Sequence, residues 1–335
     1  MKGLVLEKQD KIENNPLKLM DIEDLVPGKN QVKVKVKYCG ICRTDLHTIE
    51  GDIPLKKSPI IVGHEIVGMV DEIGENVKSF KKGNLVGISW FNGSCGKCKF
   101  CKKGKTNFCP EIKLTGWNVD GGYAEYTLVD EDAAFNLNGI KKLDLTCLAP
   151  ILCPGIAGYN TFKLLEAPKN MAIGLIGFGP TAYYVLKVAK YFGNKVYVSS
   201  RSEYHRNEAL RNGADFVGNI YEEKPPFKLD GAIIFPPAGD LVEIVLESME
   251  PDGILVLSGI TMSKIIIENY HENLWGRTIK TLYHINKKEG EEFLKLVENL
   301  NLDIEIELFK LENAVEGLKK LKNGKLKGMN GVIEI

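Results

Sequence analysis

Four of the chain's eight cysteines crowd into one short stretch, NGSCGKCKFCKKGKTNFCP, where Cys95, Cys98, Cys101 and Cys109 form C-x2-C-x2-C-x7-C. Four thiolates on a single loop suit a tetrahedral metal site with metal–sulfur bonds near ~2.3 Å. Gly93, Gly96 and Gly104 are placed to supply the tight turns such a loop needs. The alternative is four unrelated buried cysteines. The spacing also fits some iron–sulfur arrangements, so the count alone does not fix the metal. A site with four protein ligands has no open position. The loop, taken as residues 92–110, is therefore expected to be braced by its metal and not to be the catalyst.

Eight cysteines would suggest disulfides in a small secreted protein. The N-terminal MKGLVLEKQD becomes charged too soon for a signal peptide, so metal binding or catalysis is the better expectation for a 335-residue chain. Lys and Arg total 44, as do Asp and Glu, and the net charge is zero. No basic excess exists to hold a phosphate backbone, so no nucleic-acid partner is expected. A membrane helix needs roughly 18 apolar residues. The longest candidates, Cys147–Tyr159 and Met171–Leu186, are broken by Pro150, Pro154 and Pro180. The expectation is a soluble, cytoplasmic protein with no membrane partner.

The length favours two domains. Residues 1–154 read as short strands and turns. Gln31–Tyr38 alternates Val32, Val34 and Val36 with lysines, the period of a half-buried strand, and Ile60–Val70 and Leu85–Trp90 are glycine-punctuated apolar runs. Residues 155–284 alternate short apolar runs (171–176, 195–199, 215–218, 231–235, 253–258 and 279–284) with mostly helical stretches, predicting a parallel sheet covered on both faces. In the helix Pro180–Tyr191, Val185, Leu186, Val188, Ala189 and Phe192 trace the buried face and Gly193 is the stop. Ser202 is placed to cap the next helix. Residues 285–335 offer helix, strand, helix (Lys288–Leu300 and Leu311–Asn323) and a final strand, Gly331–Ile335. That tail is too small for its own core and is expected to return to the first domain.

Outside the loop, Cys42 stands near Asp45 and His47 in YCGICRTDLH, His64 and Glu65 lie in SPIIVGHEIVG, and Cys153 lies in APILCPGIAGYN. A catalytic zinc takes three protein ligands and keeps one position open, and Cys42, His64 and Cys153 can supply them. Asp45 can then hydrogen-bond a ligand from outside. Each has a bland alternative as a buried core residue.

The motifs GICRTDLH, GHEIVG, the four-cysteine loop, GGYAEY and APILCPG follow one another in an order that resembles the zinc-dependent medium-chain alcohol dehydrogenases of the medium-chain dehydrogenase/reductase superfamily. The resemblance spans essentially the whole chain. It implies an α/β protein with a β-rich GroES-like catalytic domain and a Rossmann cofactor domain. It also implies that Cys42, His64 and Cys153 bind a catalytic zinc, that Cys95, Cys98, Cys101 and Cys109 bind a structural one, and that Glu65 approaches the catalytic metal. Thr44 and His47 match the family's proton relay through the nicotinamide ribose. Arg43 matches a position that contacts the pyrophosphate. Cys39 and Cys147 match no ligand and are read as structural. Family members are usually homodimers or homotetramers.

Gly177-Phe178-Gly179-Pro180-Thr181-Ala182 fits G-x-G-x-x-G/A between a strand and a helix, so Gly177, Gly179 and Ala182 are candidates to cradle a dinucleotide pyrophosphate. An NAD site usually carries an acid about 20 residues on. Here the second strand ends in Ser199-Ser200-Arg201-Ser202. Ser200 and Arg201 can donate to a 2′-phosphate that a carboxylate would repel. NADP(H) is therefore expected over NAD(H). Trp90 or Phe91, together with Trp117, are candidate walls of a pocket for slender alcohols. Two departures stand out. The C-terminal neighbourhood that often carries a basic residue reads Gly328-Met329-Asn330, and the GDxV turn reads Gly83-Asn84-Leu85-Val86.

The expected activity is reversible hydride transfer between a primary or secondary alcohol, with its aldehyde or ketone, and NADP(H) or NAD(H). The rivals are a polyol, threonine or formaldehyde dehydrogenase on the same scaffold, or a non-catalytic zinc-binding module.

Overall fold

The computed structural model describes residues 1–166 and 169–335. The chain divides into two compact units. One comprises Met1–Ile156, His284–Glu298 and Asp303–Ile335; the other comprises Ala157–Tyr283 and Asn299–Leu302.

The first unit is organised around the strand Gln31–Ile41, which pairs antiparallel with Glu65–Ile73, Tyr126–Asp130 and the C-terminal strand Asn330–Glu334. Val32, Val34 and Val36 are buried, as their alternation requires. Lys33 is buried too, its ammonium paired with Glu72 and lying over the Tyr126 ring. The strand runs three residues beyond the expected Tyr38, through Cys39-Gly40-Ile41. Both neighbouring strands extend along that stretch and keep its backbone paired. It thereby delivers Cys42 to the start of the helix Arg43–Glu50. In the tail, Asn330–Glu334 lies between Gln31–Ile41 and the parallel strand Ile306–Lys310, while Asn299–Leu302 groups with the second unit.

The second unit is a six-stranded, all-parallel sheet. Its strands run Phe216–Gly218, Lys195–Ser199, Ala172–Ile176, Leu229–Ile234, Met249–Leu257 and Thr278–Thr281 across the sheet. This is the doubly wound order, in which the chain reverses direction across the sheet between Ala172–Ile176 and Leu229–Ile234. The crevice at such a reversal is where dinucleotides bind. The helix Pro180–Tyr191 buries Val185, Leu186, Val188 and Ala189, and Gly193 follows it at a left-handed φ of 77°. Ser202 caps the helix Glu203–Arg211, its hydroxyl accepting from the His205 N–H at 3.4 Å. Strand–helix alternation lapses at two connections, of which residues 258–277 carry only the π-helical turn Tyr270–Leu274. Residues 219–228 join two strands without a helix, because that segment holds two adjacent prolines and no periodic apolar face.

The prolines do not break the apolar run after residue 144. An α-helix Leu145–Pro150 passes into a π-helical turn Ile151–Gly155 and on into the helix Ile156–Lys163. The wider turn accommodates both prolines, as π-bulges at functional sites often accommodate irregular residues. Leu145–Lys163 is thus long and apolar enough to cross a membrane by length and composition, contrary to the expectation. Its most apolar window is 67% buried within the chain, as in a core helix.

Candidate metal centres and cofactor loop

Cys42 occupies the N-cap of the helix Arg43–Glu50, and its sulfur accepts from the backbone N–H of Asp45. The Asp45 carboxylate accepts in return from the Cys42 N–H at 3.0 Å. This is a capping box in which cysteine replaces the usual serine or threonine, and so the helix is hard to read from sequence. The other carboxylate oxygen of Asp45 lies 2.8 Å from His64 Nδ1. Because a carboxylate can only accept, that contact places a proton on Nδ1 and turns Nε2 away from Asp45. His64 Nε2 is buried and has no hydrogen-bond partner.

Around that nitrogen the fold gathers Cys42, Glu65 and Cys153, with one ligand atom of each of the four residues within 4.8 Å of every other. The Cys42 and Cys153 sulfurs are 3.9 Å apart. Tetrahedral coordination at ~2.3 Å separates ligand sulfurs by about 3.8 Å, so the pair fits a shared metal. Cys153 comes from the π-helical turn. The Cys153 hydrogen bond and the nearby His64 hold Cys42 well below the usual thiol range despite its burial, while the same bond and burial push Cys153 up. Burial opposes charge on His64, but Asp45 and Cys42 outweigh it and hold its pKa well above the ordinary value. Burial also drives Glu65 well above the carboxylate range. A buried, unpartnered nitrogen beside two sulfurs and a carboxyl is a donor set for a borderline-soft cation, which would displace the proton that the raised pKa places on the ring.

Along the same helix Thr44 is buried, and His47, one turn on, is half-buried with Nδ1 2.7 Å from the Asp52 carboxylate. Residues three apart share a helix face. Arg43 is exposed at the helix start. Trp90 lies beside the cluster, its ring centroid 6.2 Å from that of His64 and 4.9 Å, edge-on, from that of His284. Phe91 does not share that place. It opens the strand Phe91–Gly93, pairs with Leu114 and is only 2% exposed, so it belongs to the core. Trp117 donates its indole N–H to the Pro54 carbonyl at 2.9 Å, and Lys56 lies over its ring.

The four-cysteine loop forms a second cluster, with all four sulfurs within 4.8 Å of one another. Cys98 to Cys101 and Cys95 to Cys109 are each 3.5 Å apart, and Cys95 to Cys101 is 4.0 Å. Backbone N–H groups of Cys95 and Cys101 donate to the sulfurs of Cys109 and Cys98. Gly96 and Gly104 adopt left-handed φ values of 69° and 70°. Gly93 serves differently: a Cβ there would meet the Asp130 carboxylate at 2.2 Å, so its role is close approach and not a turn. Cys39 is fully buried, and Cys147 donates to the Ile304 carbonyl; neither joins a cluster.

In the second unit Gly177 turns at a φ of 92°, and Gly179 caps the helix opened by Pro180. A Cβ on Gly179 would meet nothing within 4 Å, so the backbone there is open to a ligand, at a helix N-terminus that favours phosphate. Ala182 is buried within the first turn. Ser200 and exposed Arg201 follow the strand Lys195–Ser199, and Arg206 donates to the Ser200 carbonyl at 2.6 Å.

The sequence reading did not single out Asp52, Arg206, His284 or Tyr123. Asp52 and Arg206 are within five residues of motif positions and were accessible in principle. His284 and Tyr123 meet the site only through the fold. The departures resolve locally. Asn84 closes its own turn by accepting from the Lys81 N–H, and Gly328 and Met329 turn at positive φ ahead of the last strand.

Residues 28–139 match the family model of the alcohol dehydrogenase GroES-like domain. The chain is 36% identical over 324 residues to a probable alcohol dehydrogenase AdhA of Mycobacterium tuberculosis, covering 95% of this chain and 92% of that one. It is 31% identical to an alcohol dehydrogenase of Geobacillus stearothermophilus, covering 93% and 94%. Among solved structures it resembles a CAD from Helicobacter pylori complexed with NADP(H), at 27% identity and a TM-score of 0.86 over 99% of this chain and 97% of that one.

Proposed function

The chain belongs to the zinc-dependent medium-chain alcohol dehydrogenase family, and from that premise we propose that it interconverts small primary or secondary alcohols and their carbonyl products, with NADP(H) preferred over NAD(H) and with one catalytic and one structural zinc per chain. The observation that carries the reading is His64 Nε2, buried without a partner among Cys42, Cys153 and Glu65 and aimed by Asp45.

When bound, the zinc supplies Lewis-acid polarisation of the substrate oxygen and the nicotinamide accepts or gives hydride. Cys42, His64 and Cys153 hold the metal, and Glu65 stands by as a fourth donor. The Thr44 hydroxyl would accept the alcohol proton while passing its own on, by way of the nicotinamide ribose, to the His47 imidazole, which Asp52 holds through Nδ1 and which would release a proton to solvent. Gly177, Gly179 and Ala182 admit the pyrophosphate, with Arg43 as a further contact. Ser200 and Arg201, backed by Arg206, take the 2′-phosphate. Trp90 walls the substrate pocket and favours slender alcohols, while Trp117 ties down the loop at Pro54. None of the eight cysteines is in a disulfide, which fits a reducing compartment, so we place the protein in the cytoplasm, as a homodimer or homotetramer with no nucleic-acid or membrane partner.

Initial rates over a panel of alcohols and aldehydes with both cofactors test this reading. Turnover is expected with a higher kcat/KM for NADP, and Arg201→Ala is expected to raise the NADP KM about 10-fold or more while leaving the NAD KM nearly unchanged, the scale of one charge-assisted phosphate contact. A higher kcat/KM with NAD, or an unaltered NADP KM in Arg201→Ala, contradicts the cofactor assignment. No turnover with any substrate returns the chain to a non-catalytic zinc module.

A further inference from the structure

Tyr123 is completely buried, and its hydroxyl donates to the Asp45 carboxylate at 3.1 Å. The acceptor is Oδ2, the oxygen that also takes the Cys42 N–H, while Oδ1 faces His64 Nδ1. Asp45 thus has three donors spread over two oxygens, and two of them belong to residues that carry metal-facing atoms. Tyr123 is the third, and it comes from a distant part of the chain. Burial holds the phenol well above its ordinary pKa, so the hydroxyl keeps its proton and remains a donor.

The fold makes room for this phenol at a cost in sequence freedom. The segment Gly121–Tyr123 is bonded along the backbone just before His64: Gly121 N to Ile61 O, Tyr123 N to Val62 O and Gly122 N to Gly63 O, at 2.8–3.0 Å. A Cβ on Gly63 would lie 2.3 Å from the Tyr123 ring, and one on Gly121 would lie 2.1 Å from the Gly63 carbonyl. Gly63 also sits at a φ of 92°. The glycine before His64 and the paired glycines before Tyr123 are therefore two halves of one fit, which places a ring against the backbone of a metal-facing histidine and its hydroxyl on that histidine's carboxylate partner.

We propose that Tyr123 is a positioning residue for the metal site, acting through Asp45 to fix the tautomer and direction of the His64 imidazole. The inference rests on the reading that Cys42, His64 and Cys153 hold a metal. Without the phenol O–H, Oδ2 keeps only the Cys42 N–H, the carboxylate is free to rotate, and Nε2 loses its fixed aim. Outer hydrogen bonds of this kind typically set metal affinity by 10–100-fold.

The test uses the full-length protein with cobalt replacing zinc, so that the visible d–d bands report ligand geometry. The His64→Ala spectrum, subtracted, isolates this site from the four-cysteine loop. Tyr123→Phe keeps the ring and its packing. It is expected to shift the site's bands and to weaken zinc, measured by chelator competition, by about 10-fold or more, with the melting temperature little changed. Asp45→Asn, which leaves the core packing intact, is expected to move the bands in the same direction, and adding Tyr123→Phe to it is expected to change little further. If Tyr123→Phe fails to fold, the Asp45→Asn bands decide, and unchanged bands there overturn the proposal. Bands and affinity equal to wild type in Tyr123→Phe also overturn it. A wild-type protein that binds only one cobalt, at the cysteine loop, overturns the metal reading itself.

Discussion

His64→Ala is expected to lower kcat by at least about 10³-fold and to remove one zinc per chain. Lewis-acid polarisation of a substrate oxygen contributes several kcal/mol to the transition state, and each 1.36 kcal/mol is a factor of ten in rate. The loss does not come from disrupting the core. His64 lies just ahead of the strand Glu65–Ile73, whose ladder to Gln31–Ile41 involves no imidazole. Alanine leaves Asp45 still bonded to the Cys42 N–H and the Tyr123 hydroxyl, so the carboxylate is not stranded. Metal analysis and steady-state kinetics on the variant check both halves. Retention of two zinc ions with wild-type turnover would show that the metal is held elsewhere.

The second large effect falls on stability. Cys101→Ser takes one of four sulfurs from the loop 92–110, whose segment from Gly93 to Lys113 is otherwise held by little regular structure: two short 3-10 turns, Cys101–Lys103 and Thr106–Phe108. Several residues there are solvent-exposed lysines, and without a metal the sulfurs keep weak contacts: N–H···S from Cys95 and Cys101, thiol contacts among themselves, and Cys101 to the Ser94 hydroxyl. Structural zinc binding is itself folding free energy. A loss of about 3 kcal/mol corresponds to a fall in Tm of roughly 6–12 °C for a unit of this size. The variant is expected to lose one zinc, to be cut by protease within the loop, and to keep kcat within a few-fold per folded molecule, because this cluster has no open position. A drop in kcat matching that of His64→Ala would mean that the loop takes part in turnover.

What the sequence shows best is what local chemistry writes into it. The helix Pro180–Tyr191 is bounded by a glycine N-cap, a first-turn proline and Gly193, and its limits can be read directly. The four-cysteine loop is equally plain, since all its ligands are neighbours. The helix Arg43–Glu50 is not plain, because its cap is a cysteine and it is only eight residues long. The π-helical turn at Cys153 is hidden behind two prolines that ordinarily end helices. Choosing Trp90 over Phe91 needs the pairing of Phe91 with Leu114, a contact across 23 residues. The ring of Tyr123 reaches Asp45 across 78 residues, and only the bonding of Gly121–Tyr123 along Ile61–Gly63 brings it there. Tertiary hydrogen bonds leave no periodic trace, so the ligand candidates and their neighbour Asp45 could be proposed from motifs while Tyr123, which reaches Asp45 only through the fold, could not.

The central claim is that turnover depends on a metal held by Cys42, His64 and Cys153. Its most direct test is the initial rate of NADP reduction with the best alcohol, before chelation, after chelation and after zinc is returned. Activity is expected to disappear with the metal and to return with zinc in the wild-type protein but not in His64→Ala. A chelated protein freed of zinc that still turns over at the full rate would contradict it.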